Sequence, residues 1–384
     1  MKNKTDTKKK VCLIYDFLTE FGGLEREIVN HAKMLKQEGY SVEILTCFYD
    51  QNVLDKMGFS KLKVTSICSI KTKSELLNLV FCFLGFNKLK DFDPDLFISY
   101  SFPSNYLIRK KHSKKLFYIN HYPHFLYLSG KEAGEWARST KGLKRKVSLL
   151  LGFLFRSYLK KLDKILLKQN DVNVVNSYFT QKRLKKIYKV NMKVIYPPVD
   201  PIFKPTKKLI KDKFIFCPGR IIPDKKYELL IKAMSYMKNK TPLYFSGQGE
   251  EGYKKHLLKL AKSLNVKLKF LGHLSTKSLV KYYSSALCCA FPTPKEDFGL
   301  VPAESLSCGT PCVAWNDGGG PTEQIINDVT GFLAKPYNLK DFAKKLDLCI
   351  ENNLKKNKKK ILSCAKRFSF TTIKNQFIRE IKKI

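Results

Sequence analysis

The sequence predicts an α/β protein made of two doubly wound domains that face each other across a central cleft. Three observations carry this expectation. The chain has 384 residues with 44% hydrophobic content, which is too long for one comfortable core and apolar enough for two. Short strand-like runs alternate with segments of helical period, the pattern of parallel βαβ units. A proline-rich break, Tyr196-Pro197-Pro198-Val199-Asp200-Pro201, can continue neither a helix nor a central strand, and the alternation restarts after it.

In the first half the strand-like runs are Val11–Tyr15, Val42–Cys47, Leu96–Tyr100, Leu116–Ile119 and Val172–Val175, with helical segments such as Glu25–Gln37 and Tyr178–Tyr188 between them. In the second half they are Phe214–Cys217, Leu243–Phe245, Leu268–Leu271, Cys288–Phe291 and Cys312–Trp315. No period suggests a solenoid. Ligands of open parallel sheets sit beyond the carboxyl ends of the strands, so useful residues should follow strands in both halves.

The bulk charge narrows the partners without choosing one. Seventy-two basic residues against 33 acidic give a formal charge of +39, which attracts polyanions: nucleic acid, anionic lipid or phosphorylated substrate. Only nine of the basic residues are Arg, whereas dedicated nucleic-acid readers rely on bidentate Arg contacts. Solvated Lys faces explain the excess equally well. Eleven Cys, mostly within apolar strand-like segments and without metal-ligand spacing, fit a reducing cytosol. The N-terminal MKNKTDTKKK runs directly into a strand and lacks the apolar stretch of a secretory signal. No run reaches the roughly 18 apolar residues of a membrane span.

Four post-strand motifs carry chemistry. Gly22 and Gly23, in the loop before Leu24-Glu25, let a ligand approach the backbone at a helix N-terminus that favours anions, although GxGxxG is absent. His121, in Asn120-His121-Tyr122-Pro123-His124, can hydrogen-bond a sugar hydroxyl, and a plain loop His fits its position as well. Gly219-Arg220, followed by Lys225, offers a planar guanidinium and a point charge to a diphosphate. The turn at Gly247 adds backbone N–H groups after the next strand.

The densest motif runs from Glu296 through Phe298, Gly299 and Leu300 to Glu304 and Gly309. Pro302 suits a first helical turn and Gly309 stops the helix, so Glu296 falls on the loop and Glu304 one turn inside a helix from about Gly299 to Cys308. One carboxylate then addresses a ligand held over the helix N-terminus, while the other can accept two hydrogen bonds from a vicinal diol such as a ribose. A capping carboxylate and a surface Glu would look the same in sequence. Asp317-Gly318-Gly319-Gly320 is a further glycine-rich turn. The DxD spacing at Asp91–Asp95 precedes its strand and so lies at the wrong end of the sheet for a metal site.

The segment Leu143–Lys168 places Arg156, Lys160, Lys161, Lys164 and Lys168 on one side of a helical wheel. Leu151, Leu154, Phe155, Tyr158, Leu162, Ile165 and Leu166 fall on the other. This suits an anionic membrane surface, and it equally describes a helix packed on its own domain. The apolar run Leu76–Phe86 offers a second membrane contact.

These residues resemble glycosyltransferase family 4. The resemblance rests on Glu296 and Glu304, which match its E-x7-E motif within EDFGLVPAESLSCGTPCVAWNDGGGPTEQI, on the GR…K turn of Arg220 and Lys225, and on the GGLE loop. It covers nearly the whole chain. The NHYP and YPPVD segments look more narrowly like the mannosyltransferases of lipid-linked oligosaccharide assembly. Lys226 departs from the family pattern, which has Gly after the Lys.

The resemblance implies the GT-B fold, with two Rossmann-like domains. Residues 1–198 would form the acceptor-side domain, 199–366 the nucleotide-sugar domain, and 367–384 a helix returning to the first. It implies retaining transfer of a hexose, mannose favoured, from a nucleoside diphosphate sugar to a glycan or polyprenyl-linked acceptor, without metal or other cofactor. Arg220 and Lys225 would hold the diphosphate, Glu304 the ribose and Glu296 the donor-sugar hydroxyls, with Gly23 and His121 facing the sugar. It also implies a cytoplasmic protein, peripheral on the cytosolic face of a membrane. Two other readings stay open on the residues: a glycoside hydrolase using Glu296 and Glu304 as its carboxyl pair, which leaves Arg220 and Lys225 unexplained, and a basic nucleic-acid-binding protein.

Overall fold

The computed structural model describes residues 8–20, 22–128, 130, 150 and 153–384. The start of the Leu143–Lys168 segment, including Leu151, lies outside the described residues, as do Phe21 and the first seven residues.

Seven strands form one parallel sheet: β1 (Lys10–Leu18), β2 (Ser41–Tyr49), β3 (Lys63–Ser66), β4 (Leu96–Ser99), β5 (Lys114–Ile119), β6 (Val172–Val175) and β7 (Lys193–Val194), in the order β3-β2-β1-β4-β5-β6-β7. Six form a second: β8 (Ile215–Pro218), β9 (Leu243–Ser246), β10 (Leu268–Phe270), β11 (Cys288–Phe291), β12 (Cys312–Trp315) and β13 (Gly331–Ala334), in the order β10-β9-β8-β11-β12-β13. Every strand read from the sequence is present. Three were not anticipated: β3 and β7 are short, lysine-led edge strands without a buried apolar run, and β13 opens on Gly331, a poor strand former.

Both faces of each sheet are covered, which explains the near-continuous apolar strands. Along β1 the side chains alternate. Val11 and Leu13 enter a core with Ile98, Leu116 and Tyr118. Cys12 and Ile14 enter another with Leu45, Cys47 and Phe97. The chain's last helix, Phe370–Ile381, buries Phe370, Ile373 and Phe377 in the first of these cores, and the Phe377 ring stacks on His31 at a centroid distance of 4.2 Å. In the second sheet Ile215 and Cys217 face one core while Phe214 and Phe216 face the other. All eleven cysteines are free thiols.

The strand order reverses between β1 and β4 in the first sheet and between β8 and β11 in the second. These switch points open crevices at the carboxyl ends of the strands. The Asp91–Asp95 segment lies at the opposite end, where Asp95 Oδ2 accepts from the Lys10 backbone N–H at 2.6 Å at the start of β1.

The helix Arg156–Lys168 departs from its helical wheel. Arg156 turns inward, donating to the carbonyls of Leu126 and Leu128 at 3.0 and 2.7 Å, and Lys160 sits over the Tyr127 ring. Leu154, Phe155, Tyr158 and Ile165 are exposed instead, beside exposed Lys161 and Lys164. Among the described residues no helix is long and apolar enough to cross a membrane.

Candidate active site

A cavity of about 530 Å³ opens where the two switch points meet, lined by the segments that follow β1, β5, β6, β8 and β11. Ten of the twelve residues singled out in the sequence line it: Gly22, Gly23 and His121 on the first-domain side, and Gly219, Arg220, Lys225, Glu296, Phe298, Gly299 and Leu300 on the other. Gly247 and Glu304 do not line it.

On the first-domain wall, Gly22 precedes the helix Gly23–Gln37, whose N-terminus addresses the cavity. A Cβ on Gly23 would come within 3.3 Å of Leu300 Cδ1, so this glycine lets the helix approach the second domain. Glu25, in the first turn, is buried, and desolvation pushes its carboxyl up to about 7. The exposed side chain of His121 lies beside His124, with ring centroids 5.1 Å apart.

On the second-domain wall, the two cations predicted to meet a diphosphate are held by carboxylates. Lys225 Nζ donates to Glu296 Oε2 at 2.6 Å, and Arg220 pairs with Glu20 from the loop after β1. The Arg220 turn is built by close backbone contact: Gly219 N–H donates to the Ser246 carbonyl at 2.8 Å, and Ile221 N–H to the Gln248 carbonyl at 2.7 Å. A Cβ on Gly247 (φ 148°) would lie 1.9 Å from the Gly219 carbonyl oxygen. Gly247 therefore shapes the turn from beneath, away from the cavity. Lys226 adopts the left-handed conformation, φ 51° and ψ 44°.

The helix of the densest motif runs Leu300–Ser307, one residue shorter at each end than expected because Gly299 and Cys308 are its caps. Glu296 lies on the preceding loop. That loop is fixed by the glycine-rich turn, where Gly320 N–H donates to the Glu296 carbonyl at 2.8 Å. A Cβ on Gly320 would sit 2.4 Å from Phe298 Cα, so this turn is a scaffold for the Glu296 loop.

Glu304 is 3% exposed, and both its oxygens are engaged, one by Arg26 Nη1 at 2.5 Å and the other by the Tyr283 hydroxyl at 2.8 Å. In this arrangement a ribose reaches Glu304 only by exchanging with Arg26. The carboxyl pair of a glycosidase must flank one bond; here one member is sealed off the cavity, which removes the main support for that reading.

Sequence reasoning missed five residues of this region. Arg26 comes from the first turn of the helix after Gly23, and as one of only nine arginines next to the GGLE loop it carried a signal. Tyr283 carried none. Asp297, pushed up to about 7 by desolvation against the pull of Arg183, pairs with that Arg at 3.2 Å across the domains. Ser177 Oγ donates to the Asp297 carbonyl at 2.6 Å, a second tie between the halves.

The family model described as Glycosyltransferase Family 4 matches residues 21–203, and the one described as Glycosyl transferases group 1 matches residues 199–367. End to end they span both sheets and the cavity between them. The chain belongs to the family 4 glycosyltransferases. The chain is 31% identical over 153 residues to an uncharacterised glycosyltransferase of Haemophilus influenzae, a stretch covering 38% of the chain and 43% of that protein. The chain thus matches less than half the length of this relative. A mouse (Mus musculus) protein, the alpha-1,3/1,6-mannosyltransferase ALG2, is 24% identical over 362 residues, covering 82% of this chain and 81% of its own. The structure of Anabaena HepE in complex with UDP and glucose superposes with a TM-score of 0.75 at 17% identity, covering 98% of this chain and all (100%) of that one. The shared architecture is the GT-B fold of two Rossmann-like domains.

Proposed function

We propose that this glycosyltransferase moves a hexose from a nucleoside diphosphate sugar to a hydroxyl of a glycan or polyprenyl-linked acceptor, with retention of anomeric configuration. The observation that carries the reading is the pairing of Arg220 with Glu20 and of Lys225 with Glu296 on one cavity wall. Two cations, each with a displaceable carboxylate, suit a diphosphate that arrives with its own charge. On this reading Arg220 and Lys225 stabilise the departing diphosphate, the largest demand of the reaction, and take the place of a metal ion. Glu296, released from Lys225, meets the donor-sugar hydroxyls with His121 and Gly23 opposite. Glu304 takes the ribose in exchange for Arg26.

Mannose is the favoured sugar, and GDP-mannose the favoured donor, because the mouse mannosyltransferase matches along most of the chain. The Anabaena neighbour holds UDP and glucose, so the test spans both bases. A thermal-shift series with GDP, UDP, ADP and their sugars should show one nucleotide raising the melting temperature, since a ligand of the folded state alone stabilises it. No response to any of them would defeat the proposal.

A lipid-linked acceptor is supported by exposed apolar side chains on the first domain. Leu77, Val80, Leu84 and Phe86 are exposed around the helix Glu75–Phe83, and Phe153, Leu154, Phe155 and Tyr158 beside Lys161 and Lys164. Apolar wedges rimmed by Lys suit an anionic bilayer, and we place the enzyme peripherally on the cytosolic face. Flotation with phosphatidylglycerol vesicles should fall on replacing Lys161 and Lys164 by Glu; unchanged flotation would return this surface to an ordinary exposed face.

A further inference from the structure

The helix Tyr178–Tyr188 belongs to the first domain, yet its first two turns are held by the second. Glu323, beside the glycine-rich turn, accepts the backbone N–H groups of Tyr178 at 3.0 Å and Phe179 at 2.7 Å, so its carboxylate satisfies donors that a helix start leaves open. The N-cap residue Ser177 donates from Oγ to the Asp297 carbonyl at 2.6 Å, and Arg183, in the second turn, donates from Nη1 to Asp297 Oδ1 at 3.2 Å. One helix therefore grips Asp297 at both its carbonyl and its carboxylate.

The same guanidinium reaches back into its own domain. Arg183 Nη2 donates to the Tyr122 hydroxyl, and the guanidinium lies over the rings of Tyr122 and Phe179, at 4.6 and 5.0 Å from their centroids. A planar fork seated on two rings and bonded to two partners has a fixed orientation, which a single ammonium would not reproduce. Tyr122 follows His121 in the chain, and Asp297 follows Glu296. Successive Cα atoms are held about 3.8 Å apart, so a shift at either partner of Arg183 is passed to its neighbour. His121, Glu296 and Asp297 line the cavity, whereas Arg183 lies outside the lining and acts through them. Gly320 holds the Glu296 carbonyl from within the second domain; Arg183 relates that loop to the first.

We propose that Arg183 is a positioning residue for transfer, setting Glu296 and His121 in register across the donor sugar through Asp297 and Tyr122. The inference rests on the donor reading above, in which Glu296 and His121 meet that sugar. A plain tie between the halves needs no contact with the His121 turn, and the Glu323 contacts are such a tie. Arg183 differs from it by bonding both loops at once.

The test is steady-state release of GDP from GDP-mannose and of UDP from UDP-glucose by the full chain, with water as the acceptor, beside calorimetric titration of GDP and UDP. Arg183→Met should lower kcat at least about tenfold, since a misplacement of about 1 Å can cost about 100-fold, while KM and nucleotide affinity stay within about threefold. Arg183→Lys, which keeps the charge and loses the fork, should not restore the rate. Glu323→Gln loosens the tie between the halves, so it should lower the melting temperature yet leave kcat within about threefold. Equal losses of kcat in Glu323→Gln and Arg183→Met would reduce Arg183 to a structural tie, and unchanged kcat in a folded Arg183→Met protein would overturn the proposal. If Arg183→Met fails to fold, Tyr122→Phe removes one partner of the fork and should lower kcat about threefold or more at unchanged nucleotide affinity; an unchanged kcat there overturns it too. If the wild type releases nucleotide from neither donor, the donor reading fails, and hydrogen exchange decides for Arg183. Arg183→Met should then speed exchange at residues 118–124 and 295–300 together, and faster exchange in one segment alone, or in neither, contradicts the coupling.

Discussion

Arg26 Nη1 lies 2.5 Å from Glu304 Oε1, so the first turn of a first-domain helix is tied to a buried carboxylate in the second domain. The pair closes one side of the cavity and occupies the group proposed to take the ribose. Two substitutions separate these roles. Glu304→Ala should weaken nucleotide binding at least about tenfold and cost about 1–2 kcal/mol, a figure reduced because Arg26 is one-third exposed. Arg26→Met removes the competitor and should tighten nucleotide binding while lowering the melting temperature. Calorimetric titration with GDP and UDP checks both. Equal weakening by the two would show that Arg26 binds the nucleotide itself.

The Lys225–Glu296 pair makes an opposite-sign prediction at one contact. Glu296→Gln frees Lys225 and should bind the bare nucleoside diphosphate more tightly, yet lower kcat for the sugar donor, because a hydroxyl partner is weakened. Lys225→Met should lower kcat about 100-fold, the usual cost of removing a group that meets developing charge. Steady-state kinetics with product-inhibition constants resolves the two effects.

Burial of Glu27 gives a pH signature. Its carboxyl is pushed from 4.5 up to about 8 by desolvation, against hydrogen bonds from Tyr118 and Asn120. A raised folded value means that the stability it contributes is full below the unfolded pKa and is lost as pH rises through about 8. Glu27→Gln should therefore melt higher than the wild type near pH 9, by on the order of a few kcal/mol, with the gap closing toward about pH 4. Melting curves across that range check it. Glu25 and Asp297, both near 7, titrate in the wild type and variant alike and cancel in the difference.

Lys226 holds a left-handed conformation, φ 51°, directly before the helix Tyr227–Ser235. A side chain there costs roughly 1–2 kcal/mol, part of which returns as chain entropy when glycine replaces it. Lys226→Gly should stabilise the protein by about 0.5–1 kcal/mol without changing nucleotide affinity. Chemical denaturation tests the gain, and a loss would mean the Lys side chain makes a contact worth more than the strain.

The two sheets were legible because both their faces are buried, so their strands read as apolar runs such as Leu96–Ser99 and Cys288–Phe291. The edge strands were not, since Lys193–Val194 buries little. The cavity residues were legible where glycine and a charged residue follow a strand, as at Gly219 and Arg220. Gly247 showed that the same signal also marks a scaffold, because only the fold reveals that its missing Cβ makes room for the Gly219 carbonyl. Contacts between segments far apart along the chain left little local trace. Neither the Tyr283 hydroxyl on Glu304 nor the Arg183–Asp297 pair follows from spacing along the chain. The helical wheel of Arg156–Lys168 misled for a related reason: Arg156 finds two carbonyls to cap, which a wheel does not see.

The central claim is that Arg220 gives up Glu20 to hold a diphosphate. Titration of the nucleotide that stabilises the wild type into Arg220→Ala, with Glu20→Ala alongside, tests it most directly. The account predicts at least about a tenfold loss of affinity for Arg220→Ala, as for a charge-assisted bidentate contact, and equal or tighter binding for Glu20→Ala. Unchanged affinity in a folded Arg220→Ala protein would contradict it.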